Sequence, residues 1–198
     1  GYLIQEEDTQ VVTVTENGVN YISEFIDEVK KGDIVITKVS EDGTLLSDVE
    51  FTLYSYDDIN FENPLKTVIT GNDGLAIFEN VEYGKYKVKE TKAKEGYNLS
   101  NEVLEVNVNE HGKIYDFEVI NTKIIGEILA TKISNVTKLP LEGAEFALYS
   151  INDKEFKYPL GFAISDEYGK ISFKNVEYGS YVLKEIKAAT GQTILFID

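Results

Sequence analysis

The chain has 198 residues, with 19 basic against 35 acidic side chains, a formal charge of −16, one His and no Cys, Met or Trp. All of the basic residues are Lys; an acidic chain without Arg does not suit nucleic acid, and one without Cys has no disulfides, zinc–thiolate sites or cysteine nucleophiles. A hydrophobic content of 42% with 13 Tyr and 10 Phe suffices for packed cores, while no apolar run approaches the roughly 20 residues of a membrane span and no signal peptide is visible.

Taken in chain order, residues 1–31 show alternation around Val12 and Val14, and 22–31 is the one stretch that passes for a helix. Short Val-, Ile-, Tyr- and Phe-rich runs then predict strands near 33–39, 49–56, 65–70, 75–79, 85–91, 102–109 and 114–121,. Glu-Asp-Gly at 41–43, Asn-Asp-Gly at 72–74 and His-Gly at 111–112 supply the turns,. About seven strands in one such stretch indicate an all-β, antiparallel sandwich of immunoglobulin-like or prealbumin-like kind.

After residue 125 the pattern starts again. GDIVITKVS (32–40) recurs as GEILATKIS (126–134), VEFTLYS (49–55) as AEFALYS (144–150), and GLAIFENVEYGKYKVKETKAKEG (74–96) as GKISFKNVEYGSYVLKEIKAATG (169–191). Lys38 aligns with Lys132 and Phe51 with Phe146, so the units differ by a single inserted residue in a tandem duplication,. Residues 1–31 match 96–125, with Val12, Val14 and Gly18 falling on Val106, Val108 and Gly112. The expected organisation is therefore 1–31 as closing strands of a preceding or complementing domain, 32–125 as a complete domain, and 126–198 as a domain without its last strands. Residues 191–198 and 1–8 would overlap if the two fragments were joined, and the lack of even an initiator Met implies a mature or excised piece.

Strand parity singles out three polar residues. Ile34 and Ile36 lead to Lys38 on one face, Tyr86 and Val88 lead to Glu90, and Phe117 and Val119 lead to Asn121,. The second unit repeats this with Lys132 and Glu185, and Asp27 is the tail's equivalent of Asn121. Buried Lys and Glu neutralise or pair, and desolvation favours a neutral amine beside a protonated acid. Such an amine is a nucleophile toward a side-chain carbonyl held by the acid, which predicts amide formation with loss of ammonia from Asn or water from Asp. Parity equally admits a buried, uncrosslinked ion pair, or three strand ends that emerge into solvent.

The stretch YKVKETKAKEGY (86–97) resembles the E-box of Gram-positive pilins and of the B-type repeats of collagen adhesins, the Cna B-type domains. ITKVSEDG, VEFTLY and the closing FEVIN are similar to that family's first, second and last strands. The resemblance covers the whole chain and implies tandem Cna B-type sandwiches with an isopeptide bond from Lys38 to Asn121, catalysed by Glu90, with Asp also an allowed acceptor. In YVLKEIKAATGQ (181–192) Ile186 and Gln192 depart from the family's usual Thr and Tyr. TKLPLEG (137–143) is not a sorting signal, and no pilin-type polymerisation lysine motif is evident, which leaves pilin and adhesin stalk both open.

The implied function is a structural stalk module at a Gram-positive cell surface or wall, with adjacent repeats as partners. It needs no cofactor or metal, and performs single-turnover self-crosslinking rather than enzymatic turnover. A head-to-tail partner is also expected: 1–31 of another copy adding its strands to the C-terminal unit and bringing Asp27 to Lys132 and Glu185. The alternative is a binding module for a host matrix protein or carbohydrate, for which the loop YSYDDINFENP (54–64) is the candidate surface,. Asp57 and Asp58 lack the closed oxygen set that calcium needs, and His111 sits in a turn with no Ser-His-Asp set around it,.

Overall fold

In the computed structural model, which describes residues 1–4 and 9–189, the chain divides into two units, Gly1–Thr122 and Lys123–Asp198. No helix occurs among the described residues. The first unit opens with two short strands, β1 (Tyr2–Leu3) and β2 (Glu28–Val29), which pair with each other. Seven longer strands follow: β3 (Lys31–Ser40), β4 (Glu50–Ser55), β5 (Pro64–Ile69), β6 (Leu75–Glu82), β7 (Gly84–Lys92), β8 (Val103–Val108) and β9 (Ile114–Asn121). They form a three-stranded sheet in the order β6-β3-β9 and a four-stranded sheet in the order β5-β4-β7-β8. Every predicted strand of the complete unit is present.

Pairing is antiparallel except between β3 and β9, which run parallel from Asp33↔Ile114 to Ser40↔Asn121. The start of β3 and the end of β9 therefore lie at opposite ends of one ladder. Alternation holds along β3, where Ile34, Ile36 and Lys38 face inward with no slip of parity,. The inner faces meet in a core that includes Ile34, Ile36, Phe51, Phe78, Val88, Val106, Val108 and Val119. Phe78 is fully enclosed, so Phe78→Ala costs about 3–5 kcal/mol of unfolding free energy, measurable by denaturant titration.

Gly74 fixes one approach to the polar end of this core. Its φ of +70° suits the tight turn after β5, and a Cβ there would stand 2.9 Å from the Lys38 carbonyl oxygen,. The Gly74 carbonyl in turn accepts the Lys38 amide at 2.8 Å. Gly74→Ala is expected to destabilise the first unit by about 1–3 kcal/mol and to shift Lys38, detectable as a lowered denaturant midpoint.

Residues 9–27 form no strand, and Val12, Val14, Ile22, Phe25 and Ile26 are exposed. The helix-like stretch at 22–31 is not helical: 22–27 have no regular structure, and the rest holds β2 and the first residue of β3. Among the described residues nothing covers these apolar side chains, and a segment that cannot bury them does not hold strands like those at the equivalent positions 103–121,. Its turn is nevertheless built. The Tyr21 hydroxyl accepts the amides of Thr15 at 2.9 Å and Glu16 at 3.0 Å. At the β8–β9 turn the Tyr115 hydroxyl accepts the amides of Asn109 at 2.9 Å and Glu110 at 3.2 Å. Gly18 (φ +79°) and Gly112 (φ +71°) occupy the same left-handed position.

The second unit contains β10 (Ile125–Thr131), β11 (Glu145–Ser150), β12 (Gly161–Ile164), β13 (Lys170–Glu177) and β14 (Tyr181–Lys187). Among the described residues they form a β10-β13 pair and a β12-β11-β14 sheet. These repeat β3-β6 and β5-β4-β7; the stretches 5–8 and 190–198, including Gln192 and the expected overlap, lie outside the described residues. Among the described residues its buried cluster is Leu148, Ile171 and Phe173, with Ile128, Ala130, Phe146 and Leu183 among those partly covered.

Candidate functional site

The ends of β3, β7 and β9 deliver Lys38, Glu90 and Asn121 to one place between the two sheets. Lys38 is 0% exposed, Glu90 1% and Asn121 1%. Lys38 Nζ donates to Asn121 Oδ1 at 2.6 Å and to the Val119 carbonyl at 3.0 Å. Asn121 Nδ2 donates to Glu90 Oε1 at 2.6 Å, and Glu90 Oε2 lies 3.2 Å from Lys38 Nζ. An amine is donor-only when charged and a carboxylate acceptor-only, so this orientation of the Asn amide satisfies both neighbours. Of the outcomes open to parity, emergence into solvent is ruled out.

Burial pushes the Lys38 ammonium below its ordinary pKa, while the Glu90 carboxylate works in the opposite direction,. Glu90 Oε2 is buried and accepts no well-formed hydrogen bond despite its distance to Nζ. The carboxylate thus has one oxygen beside the amine and the other beside the amide nitrogen. The Val119 carbonyl is the part of the site that sequence reading missed. It comes from the backbone, so no residue type marks it.

The second unit reproduces half of this arrangement. Lys132 Nζ donates to Glu185 Oε2 at 2.8 Å, but their side chains are 24% and 20% exposed. Glu185 Oε1 has no hydrogen-bond partner among the described residues. Asp27 is exposed, immediately before β2 in the first unit. Elsewhere, Asp58 accepts the amides of Glu62 at 3.2 Å and Asn63 at 2.8 Å. Those bonds hold its pKa below the usual carboxylate value. Tyr54 packs edge-on against Phe61 at 5.1 Å, so the 54–64 loop is tied down by its own side chains. Asp153 and the Tyr149–Phe156 pair repeat both features in the second unit. His111 is exposed in the β8–β9 turn and accepts the Lys31 amide at 3.3 Å.

The family model described as the SpaA prealbumin-like fold domain matches the chain twice, over residues 32–123 and 126–195. The chain belongs to the SpaA prealbumin-like domain family. Its two family copies coincide with the tandem repeat, and the resemblance to Gram-positive pilin and Cna B-type domains holds. Among solved structures, this SpaA-family chain is similar to the TIE protein of Bacillus anthracis, at 29% identity and a TM-score of 0.73. The match covers 85% of this chain but 30% of that protein, so the chain spans under a third of its length. A streptococcal ancillary pilin is 22% identical with a TM-score of 0.47, covering 92% of this chain and 66% of that one. The major pilin subunit of Bacillus cereus is 16% identical with a TM-score of 0.42, covering 83% and 90% respectively. No curated protein matches.

Proposed function

We propose that the chain is a stalk module of a Gram-positive cell-surface pilin or adhesin, made rigid by an amide bond between Lys38 and Asn121. Residues 32–125 form its complete domain, 1–31 carry closing strands of a domain, and 126–198 open a further one. The observation that carries this reading is the enclosed contact set of Lys38, Glu90 and Asn121. Solvent-free burial of such a trio is costly to folding unless it serves chemistry or pairs completely.

Glu90 takes a proton from the Lys38 ammonium through Oε2, and the freed Nζ attacks Cγ of Asn121. The Cγ–Nδ2 bond breaks as Glu90 Oε1 returns the proton to Nδ2. Nζ sheds its second proton through the same carboxylate to the leaving nitrogen, so ammonium leaves, a secondary amide remains, and no electron donor or acceptor is required. The Val119 carbonyl aims the amine and stays in place throughout. Glu90 acts once on its own chain, so the domain crosslinks itself without becoming an enzyme. Adjacent repeats of the same kind are its partners in an extracellular stalk.

Tandem mass spectrometry of a protease digest tests this directly. A branched peptide joining Lys38 to residue 121 is expected in the wild-type chain and in Asn121→Asp, where water leaves instead of ammonia. Asn121→Ala lacks the branch. Linear peptides alone from the wild type would refute the reading.

A further inference from the structure

The outer face of the four-stranded sheet in the first unit carries a row of lysines that no carboxylate neutralises. Along β7, Tyr86, Val88 and Glu90 turn inward, so Lys85, Lys87 and Lys89 project from the opposite face,. Among the described residues none of the three is in an ion pair, although the chain has 35 acidic side chains. Aromatic rings of the 54–64 loop hold them instead. Lys87 Nζ lies 4.7 Å from the centre of the Tyr56 ring and 6.0 Å from that of Phe61. Lys85 Nζ lies 5.8 Å from Tyr56 and Lys89 Nζ 5.1 Å from Phe61,.

The tandem repeat separates what the fold needs from what it does not. In the second unit Lys184 stands 4.3 Å from the Phe156 ring, which packs on Tyr149, just as Lys89 stands over Phe61 and Phe61 packs on Tyr54. That stack recurs because it ties the loop to the sheet. Tyr56, Lys85 and Lys87 have no such part. They align with Ile151, Ser180 and Val182, and β11 and β14 pair in the same register without them. A ring and two ammonium groups therefore sit on a face that folds in their absence.

They stand at a recess. Tyr56, Lys85, Glu105, Val106 and Asn107 line a cavity of about 300 Å³ over the β7–β8 pair,. Asn107 lies opposite Lys85 and Glu105 opposite Lys87. The walls offer an amine for an anion, an amide that donates and accepts, a carboxylate that accepts only, and a ring. A densely charged polyanion would meet Glu105 and the chain's −16 charge,. A peptide strand would find no backbone edge, since β7 is bonded to β4 on one side and β8 on the other,. The wall chemistry suits a hydroxyl-rich ligand with a single negative group.

We infer that this recess binds a uronic acid unit of a largely neutral polysaccharide. Lys85 takes its carboxylate, Glu105 and Asn107 take its hydroxyls, and Tyr56, held by Lys87, covers its apolar ring face. All of these residues lie within the complete domain, and binding there does not require Lys38 and Asn121 to be joined.

A glucuronate-capped oligosaccharide of otherwise neutral sugars, and its methyl ester, are titrated into isotope-labelled full-length chain and followed by NMR. The expected result is saturable binding of the acid, with amide shifts centred on Tyr56, Lys85 and Asn107 and none around Ile151, Ser180 and Val182. Esterification removes the charge and keeps the sugar, and is expected to weaken binding by roughly 10-fold or more. Lys85→Ala and Tyr56→Ala are each expected to weaken the acid by about 10-fold at an unchanged thermal midpoint, whereas Lys184→Ala leaves binding unaltered. Absence of binding, equal binding of acid and ester, shifts centred elsewhere, or binding indifferent to Lys85→Ala and Tyr56→Ala would overturn the site. Tighter binding of an oligoglutamate peptide at the same residues would overturn the sugar as its ligand.

Discussion

Glu90→Ala is expected to lower the thermal unfolding midpoint of the first unit by roughly 20–30 °C. Joining Lys38 to Asn121 closes a span of 83 residues, and closing a loop of this length by a crosslink contributes about 4–5 kcal/mol by analogy with disulfides. For a domain of this size each kcal/mol moves the midpoint by about 4–8 °C. Without Glu90 nothing near Nζ and Nδ2 relays the proton, and the bond does not form. Loss of packing contributes as well, and Glu90→Gln separates the two effects. It keeps the volume and a hydrogen-bonding side chain but cannot relay the proton, so it too should lack the bond, with a smaller fall in midpoint. Differential scanning calorimetry of both variants against the wild type makes the measurement.

The second large effect is mechanical. Because β3 and β9 are parallel, pulling on residues 31 and 122 loads their ladder in shear from opposite ends. In the crosslinked domain the load passes from Lys38 straight to Asn121, and the intervening residues cannot extend. In Glu90→Ala they can, releasing 83 residues or roughly 280 Å of contour at about 3.4 Å per residue, before subtracting the folded separation. Single-molecule stretching of the full chain should therefore show an unfolding step of that size in the variant and none from the first unit in the wild type. An identical step in both would show that the load is not carried by a covalent bond.

Much of this was legible before the structure. The repeat fixed the two units, and strict alternation carried Ile34 and Ile36 on to Lys38, Val88 to Glu90 and Val119 to Asn121 without a bulge between them. Parity works there because both sheets have one face in the core, where a slip of one residue would turn every apolar side chain outward. The parallel β3–β9 pairing was not legible, since alternation says which face a residue takes and nothing about its neighbour's direction. Residues 9–27 diverged from their counterparts for a physical reason: among the described residues nothing covers Val12, Val14 and Phe25, whereas the counterparts Val106, Val108 and Val119 are buried between two sheets. The signal that was present and overlooked is Tyr21 aligned with Tyr115, two hydroxyls that cap the same turn. Lys132 and Glu185 paired as their alignment with Lys38 and Glu90 suggested, yet they stay partly exposed. Their seclusion depends on strands that the described part of the second unit does not contain.

Intact mass under denaturing conditions tests the central claim most directly. The wild-type chain should weigh about 17 Da less than its sequence requires, the mass of one ammonia, with the deficit absent in Glu90→Ala. A wild-type mass equal to the sequence mass would leave Lys38, Glu90 and Asn121 as a buried ion pair and contradict the account.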